Sequence, residues 1–148
     1  MSERAERAKQ LFLEGYNCAQ AVVGAFSDVM EIDFDIAMKL ASSFGGGIGR
    51  MREVCGAVSG MCMVAGYLKG YSDPKAKEEK TEHYRLIQEL AGKFREENGS
   101  IICRELLGEG EGKVSHIPSE RTDSYYKKRP CAELVYLAAA ILEKECNL

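Results

Sequence analysis

Cysteines are the residues of this 148-residue chain that could most directly carry chemistry, and there are six of them. Four fall in the first turn of a predicted helix: Cys18, Cys55, Cys103 and Cys131. A helix start presents unpaired N–H groups and the positive end of the helix dipole, and both favour a thiolate over a thiol. Because the thiolate is the form that attacks disulfides and binds metals, we expect these four cysteines to be the active ones.

Basic residues near these cysteines favour the thiolate further by electrostatic attraction. They are Arg50, Arg52, Arg104, Lys128 and Arg129. The two remaining cysteines lack this setting, because Cys62 lies in the middle of an apolar predicted helix and Cys146 lies near a helix end. We expect both to be packing residues.

The spacing of the four cysteines excludes common metal and redox motifs. Neighbours are 37, 48 and 28 positions apart, whereas zinc ribbons and thioredoxin-like motifs contain two cysteines separated by two residues. A shared site must therefore be assembled by tertiary folding. It could serve thiol–disulfide exchange or electron transfer, as in an oxidoreductase, or it could hold a metal ion or iron–sulfur cluster on all four cysteines. A third alternative is a non-catalytic helical interaction module whose cysteines fill the core.

A glycine-rich segment, "SSFGGGIGRMREVCGAVSG", leads directly to Cys55. It lacks the lysine–serine pair of a phosphate-binding loop, and Arg50 stands where the third glycine of a dinucleotide fingerprint would be. We expect the segment to form a backbone cradle that donates N–H groups toward the Cys55 sulfur, or toward an anion or cofactor beside it. The alternative is a sharp link between two buried helices. The candidate cofactor-binding residues are Gly45, Gly46, Gly47, Gly49, Arg50 and Gly56.

Helical periodicity dominates the chain and predicts one all-α domain over residues 1–148, a bundle of six or seven helices. The first helix ends at Gly15. The later predicted helices cover about residues 18–30, 33–44, 53–68, 74–97, 100–107 and 130–146, and residues 109–128 are predicted as a long polar loop. The helix at 53–68 has no charge in its interior, so it should be central. Its Gly56 and Gly60 share a face and should let another helix approach closely.

Composition narrows the class of protein. The net charge of −3 and the absence of tryptophan argue against a nucleic-acid binder. The longest uncharged run, from Val54 to Leu68, is too short to span a bilayer, and the charged N-terminus has no apolar signal core. We expect a cytoplasmic protein without membrane insertion, a possible homo-oligomer whose redox partner and cofactor the sequence leaves unknown.

Four segments carry a resemblance to a known family: "YNCAQAV", "CGAVSG", "CRELLG" and "RPCAELV". In this order they resemble the C_GCAxxG_C_C family of redox-active proteins, over about Gly15 to Leu142. The four cysteines in these segments are the same four that the predicted helix starts select. The resemblance implies redox activity and implies neither a substrate nor a cofactor.

Replacement of Cys62 or Cys146 by alanine should leave redox activity intact, because both lie outside the helix starts and outside the family pattern. Cys62→Ala should lower the free energy of unfolding by about 1 kcal/mol if that side chain is buried. The check is activity together with circular dichroism of each variant. Lost activity in a folded variant would contradict this assignment.

Overall fold

Helices form nearly all the regular structure of the protein, seen here in a computed structural model that describes residues 2–108 and 115–148. The described residues contain eight α-helices: α1 (Glu3–Leu13), α2 (Cys18–Ala25), α3 (Phe34–Ala41), α4 (Gly56–Lys69), α5 (Lys77–Asn98), α6 (Cys103–Leu107), α7 (Asp123–Lys128) and α8 (Cys131–Glu145). A 3₁₀ turn, Ser42–Phe44, follows α3. No strand occurs in these residues, where Val54 and Ile102 form an isolated antiparallel bridge. The predicted all-α fold is confirmed.

The core is built around α2 and α4. α2 packs against α1, α3, α4 and α8, and α4 also contacts α5 and α8. The largest fully buried side chains include Phe12, Phe26, Met61, Leu90 and Phe94. The central position predicted for α4 from its apolar interior is therefore confirmed. In the part of the chain that is described, no helix is both long and apolar enough to cross a membrane.

Two glycines of α4 allow α2 to lie against its backbone. A Cβ on Gly60 would stand 2.9 Å from the carbonyl oxygen of Ala19 and 3.0 Å from the Cβ of Val22. A Cβ on Gly56 would stand 3.1 Å from the Cβ of Cys18. The predicted close approach is confirmed, and it places α4 beside the first turn of α2, which carries Cys18.

Several helix boundaries differ from the predicted ones. α4 begins at Gly56 rather than near residue 53, because backbone hydrogen bonds pair residues 52–55 with residues 101–104 instead. α5 begins at Lys77 rather than at Pro74, because the Asp73 carboxylate accepts a hydrogen bond from the amide of Lys75 and closes a local turn instead. α2 ends at Ala25, about one turn earlier than predicted.

The predicted long loop contains a helix. α7 begins after Thr122, whose side chain accepts a hydrogen bond from the amide of Tyr125, the arrangement of an ordinary N-cap. The sequence Thr-Asp-Ser before two tyrosines was a signal for that cap. Residues 109–114, the first part of the predicted loop, lie outside the described residues.

Gly60→Ala should destabilise the protein by about 1–3 kcal/mol, because its methyl group would meet the backbone of α2 rather than a movable side chain. Gly66→Ala is the matched control in the same helix. A Cβ there meets nothing within 4 Å, so the higher helix propensity of alanine should raise stability by up to about 1 kcal/mol. Urea unfolding of both variants checks this pair. Equal effects at the two positions would contradict the close helix contact.

Candidate functional site

Four cysteines line one cavity of about 60 Å³: Cys18, Cys55, Cys103 and Cys131. They come from four separate elements of the chain, and the prediction that they meet in space is confirmed. Cys62 and Cys146 do not line this cavity, and burial raises the pKa of both thiols. That any of the four cavity cysteines is catalytic stays a prediction.

Cys18 and Cys131 enter the cavity as the first residues of two helices. Asn17 caps α2: its side-chain oxygen accepts from the amide of Gln20 at 2.9 Å, and the Gln20 side chain accepts from the amide of Asn17. This reciprocal cap fixes the turn that carries Cys18. Cys131 follows Pro130, whose restricted backbone suits the start of a helix.

Cys55 and Cys103 are held together by short backbone pairing. The amide of Cys55 donates to the carbonyl oxygen of Ile101 at 2.8 Å, and the amide of Cys103 donates to that of Glu53 at 2.7 Å. Cys55 is thereby the N-cap of α4 rather than a residue inside its first turn, and Cys103 is the first residue of α6. These bonds bring together two cysteines that are 48 positions apart in the chain, and no local pattern in the sequence predicts them.

The glycine segment forms a left-handed turn. Residues 46–50 all have positive φ, between 55° and 73°. Ile48 and Arg50 are not glycines, so each adopts this conformation at a cost of roughly 1–2 kcal/mol. Such strain persists where surrounding structure determines the backbone, and it is frequent at functional sites.

The amides of residues 48–50 in this turn donate to nearby carbonyl oxygens rather than to the Cys55 sulfur, which differs from the predicted cradle. Those of residues 48–53 all donate to carbonyl oxygens of residues 43–48, as in the bond from Glu53 to Gly47 at 2.9 Å. The turn packs on Cys103 instead, since a Cβ on Gly47 would lie 2.8 Å from the Cβ of Cys103. The amides that act on the Cys55 thiol are those of Ala57 and Val58 in its own helix.

At Cys55, burial has a larger effect on the pKa of the thiol than the start of the helix has. Loss of solvent raises the pKa of its thiol to about 12, although the amides of Ala57 and Val58 act in the opposite direction. The expectation that the helix-start cysteines have lowered pKa values is therefore wrong for Cys55, and it is wrong for Cys18 as well, whose pKa is also raised. A group taken out of water resists charging more strongly than two backbone dipoles favour it.

Cys18 and Cys131 are a coupled pair of thiols whose pKa values shift in opposite directions. The pKa of Cys131 is lowered, chiefly by the hydrogen bond from Cys18, against burial and with help from nearby arginines. The pKa of Cys18 is raised well above its ordinary value, first by the same bond and then by burial. The cavity thus favours a Cys131 thiolate that accepts a hydrogen bond from a Cys18 thiol.

Three arginines line the cysteine cavity: Arg52, Arg121 and Arg129. All three lower the pKa of Cys131. Arg52 is 3% exposed, and its Nη1 donates to the Sγ of Cys103 at 3.8 Å. Arg52 and Arg129 were expected from the sequence to act on cysteines. The side chain of Lys128, which was expected to act with them, lies outside the described part of the structure, and Arg104 does not line the cavity.

Arg121 is the residue of the site that sequence reasoning missed. Its guanidinium donates to the carbonyl oxygens of Phe12, Gly15 and Tyr16 at the end of α1, and it lies 4.2 Å from the centre of the Phe12 ring. These partners are more than 100 positions away, so no local pattern could have identified it. Tyr125 also lines the cavity beside Arg121.

A second, larger cavity of about 270 Å³ adjoins the first. The two share six lining residues: Asn17, Gly46, Arg52, Arg121, Tyr125 and Arg129. The predicted cofactor-binding residues divide between them, with Gly47 and Gly56 on the inner cavity, Gly45, Gly49 and Arg50 on the outer one, and Gly46 on both. Their contact with a ligand stays a prediction.

The four cavity cysteines do not match the alternative prediction that they hold a metal ion or an iron–sulfur cluster. Among residues 2–108 and 115–148, no three Cys, His, Asp or Glu side chains stand in a group that could hold a metal ion.

Comparison with known proteins gives one match. Residues 16–145 match the family described as "Putative redox-active protein (C_GCAxxG_C_C)", whereas no curated protein and no solved structure matches the chain. The present chain reads Cys55-Gly56-Ala57 where that description writes Gly-Cys-Ala. The match covers most of the chain and includes all four cavity cysteines, so the protein belongs to the C_GCAxxG_C_C family of redox-active proteins.

Proposed function

We propose that the protein is a thiol-based redox protein in which Cys131 and Cys18 exchange disulfides with a substrate. The observation that carries this proposal is that Cys18 and Cys131 line the same cavity, where their thiols are close enough to shift each other's pKa in opposite directions. Thiol–disulfide exchange needs one thiolate to attack and a second thiol close by to complete the reaction. The pair supplies both.

Cys131 is the attacking residue of this proposal. Its lowered pKa makes it a thiolate at a lower pH than an ordinary cysteine, and three arginines favour the charge. Cys55 has a pKa of about 12 and is a thiol at neutral pH, so it does not attack. The positive end of α8 stabilises the same charge, because Cys131 is the first residue of that helix.

The exchange proceeds in two displacements. The Cys131 thiolate attacks one sulfur of a substrate disulfide, forms a mixed disulfide with it and releases the other half as a thiolate. Cys18 then gives its proton to the released thiolate, and the Cys18 thiolate attacks the Cys131 sulfur and releases the second half as a thiolate, which takes a proton from water. The substrate gains two electrons, and Cys18 and Cys131 lose two as they form a disulfide. An external dithiol reductant returns the pair to its reduced state.

Cys55 and Cys103 supply two further thiols at the same cavity. Both influence the pKa of Cys18 electrostatically, which supports their place in the same redox site. The contact between Arg52 and the Cys103 sulfur holds that side chain at the cavity wall. In this proposal they are not the first pair to react.

Mild oxidation of the reduced protein should consume two of its six thiols and link Cys18 to Cys131. Peptide mapping by mass spectrometry identifies the linked pair, and thiol counting gives the stoichiometry. Cys18→Ser should stop the reaction at a mixed disulfide on Cys131, because the second displacement is lost. A first disulfide between Cys55 and Cys103 would contradict the proposed roles.

The pH dependence of Cys131 alkylation should depend on Cys18. A thiol with a lowered pKa becomes reactive at a lower pH, and the hydrogen bond from Cys18 is the largest cause of that lowering. Cys18→Ala should therefore move the midpoint of iodoacetamide alkylation at Cys131 to higher pH. Cys62→Ala, which removes a cysteine outside the cavity, is the control and should leave that midpoint unchanged. A midpoint unaffected by Cys18→Ala would show that the pair does not share a proton.

A further inference from the structure

We propose that the outer cavity is a subsite for the anionic group of the substrate, so that the protein acts on small disulfides bearing a carboxylate or sulfonate. This inference rests on the proposed exchange at Cys131 and adds the substrate class. The outer cavity adjoins the cysteine cavity, which places an anion-binding region beside the reacting sulfur.

Arginines dominate the described lining of the outer cavity. Four arginines line it: Arg50, Arg52, Arg121 and Arg129. No carboxylate side chain is among its described lining residues, although the whole chain carries a net charge of −3. Positive charge concentrated in a concave surface attracts anions and raises their rate of arrival.

The described partners of Arg121 are neutral groups. Arg121 donates to three backbone carbonyl oxygens and stacks on Phe12, so its positive charge is oriented without being neutralised by a carboxylate in the described residues. Arg50 donates to the hydroxyl of Ser119 at 3.2 Å across the same cavity. Guanidinium groups bind carboxylates and other planar or tetrahedral oxyanions through paired N–H donors.

The sizes of the two cavities fit a substrate whose disulfide occupies the inner cavity and whose anionic group occupies the outer one. The inner space of about 60 Å³ is next to the thiols and is too small for a peptide side chain with its backbone, but it can admit a disulfide. The outer space of about 270 Å³ can hold a charged group of several atoms. In the reaction, the Cys131 thiolate attacks the nearer sulfur of the substrate disulfide. The other half of the substrate leaves as a thiolate that still carries its carboxylate or sulfonate, and Cys18 then releases the first half by forming the disulfide with Cys131.

A change at Arg50 can distinguish anion binding in the outer cavity from electrostatic activation of the Cys131 thiolate. Arg129, Arg52 and Arg121 line the cysteine cavity and lower the pKa of Cys131, whereas Arg50 lines the outer cavity and not the cysteine cavity. Loss of the Arg50 charge should therefore weaken anion selection and leave Cys131 reactivity unchanged.

The test compares three disulfides of similar size that differ in charge: 3,3′-dithiodipropionate, bis(2-hydroxyethyl) disulfide and cystamine. The rate constant for oxidation of the reduced protein by each is divided by that of free 2-mercaptoethanol with the same disulfide, which removes intrinsic reactivity. The normalised rate constant should be about tenfold higher for the anion than for the neutral probe, and lowest for the cation. Equal normalised values for the three probes would overturn the anionic subsite.

Arg50→Gln should reduce the preference for the anion about threefold, while the pH profile of iodoacetamide alkylation at Cys131 stays unchanged. Arg50→Gly is the second variant, because glycine suits the positive φ of this position and should keep the turn folded. Arg85→Gln, on the exposed surface of α5, is the matched loss of charge and should leave the preference intact. An unchanged preference in both folded Arg50 variants would overturn the role of Arg50. Failure of every probe to produce a Cys18–Cys131 disulfide would instead overturn the proposed function.

Discussion

The close contact between α2 and α4 is the constraint on which the site depends. Gly56 and Gly60 leave no side chain between the two backbones, so Cys18 at the start of α2 lies against the start of α4. Because Cys55 is the residue directly before α4, the same contact brings two of the four thiols to one space. A larger residue at Gly60 would separate the helices and open the cavity that they close.

Desolvation and charge then divide the cysteines into different chemical roles. All of the cavity cysteines are at or beside helix starts, yet burial raises the pKa of Cys55 to about 12. Cys131 keeps a lowered pKa because Cys18 donates a hydrogen bond to it and arginines face it. The helix dipole alone is worth typically 0.3–1 kcal/mol, so it cannot decide the protonation of a buried thiol without such partners.

The strained turn at residues 46–50 serves the position of Cys103 rather than the charge of Cys55. The amides of residues 48–53 donate to carbonyl oxygens of residues 43–48, while Gly47 allows the turn to approach the Cβ of Cys103 closely. The turn also carries Arg50 to the outer cavity. The positive φ of Ile48 and Arg50 is the cost of this placement.

The sequence by itself determined the helical fold, the central place of α4, the close approach at Gly56 and Gly60, and which four cysteines belong together. These features follow from local periodicity, from glycine spacing and from the matching family pattern. Tertiary structure alone decided the pairing of Cys18 with Cys131, the raised pKa of Cys55 and the place of Arg121 at the cavity. Hydrogen bonds and burial between residues tens of positions apart leave no periodic trace in the chain, and the depth of a thiol below the surface is a property of the packed molecule.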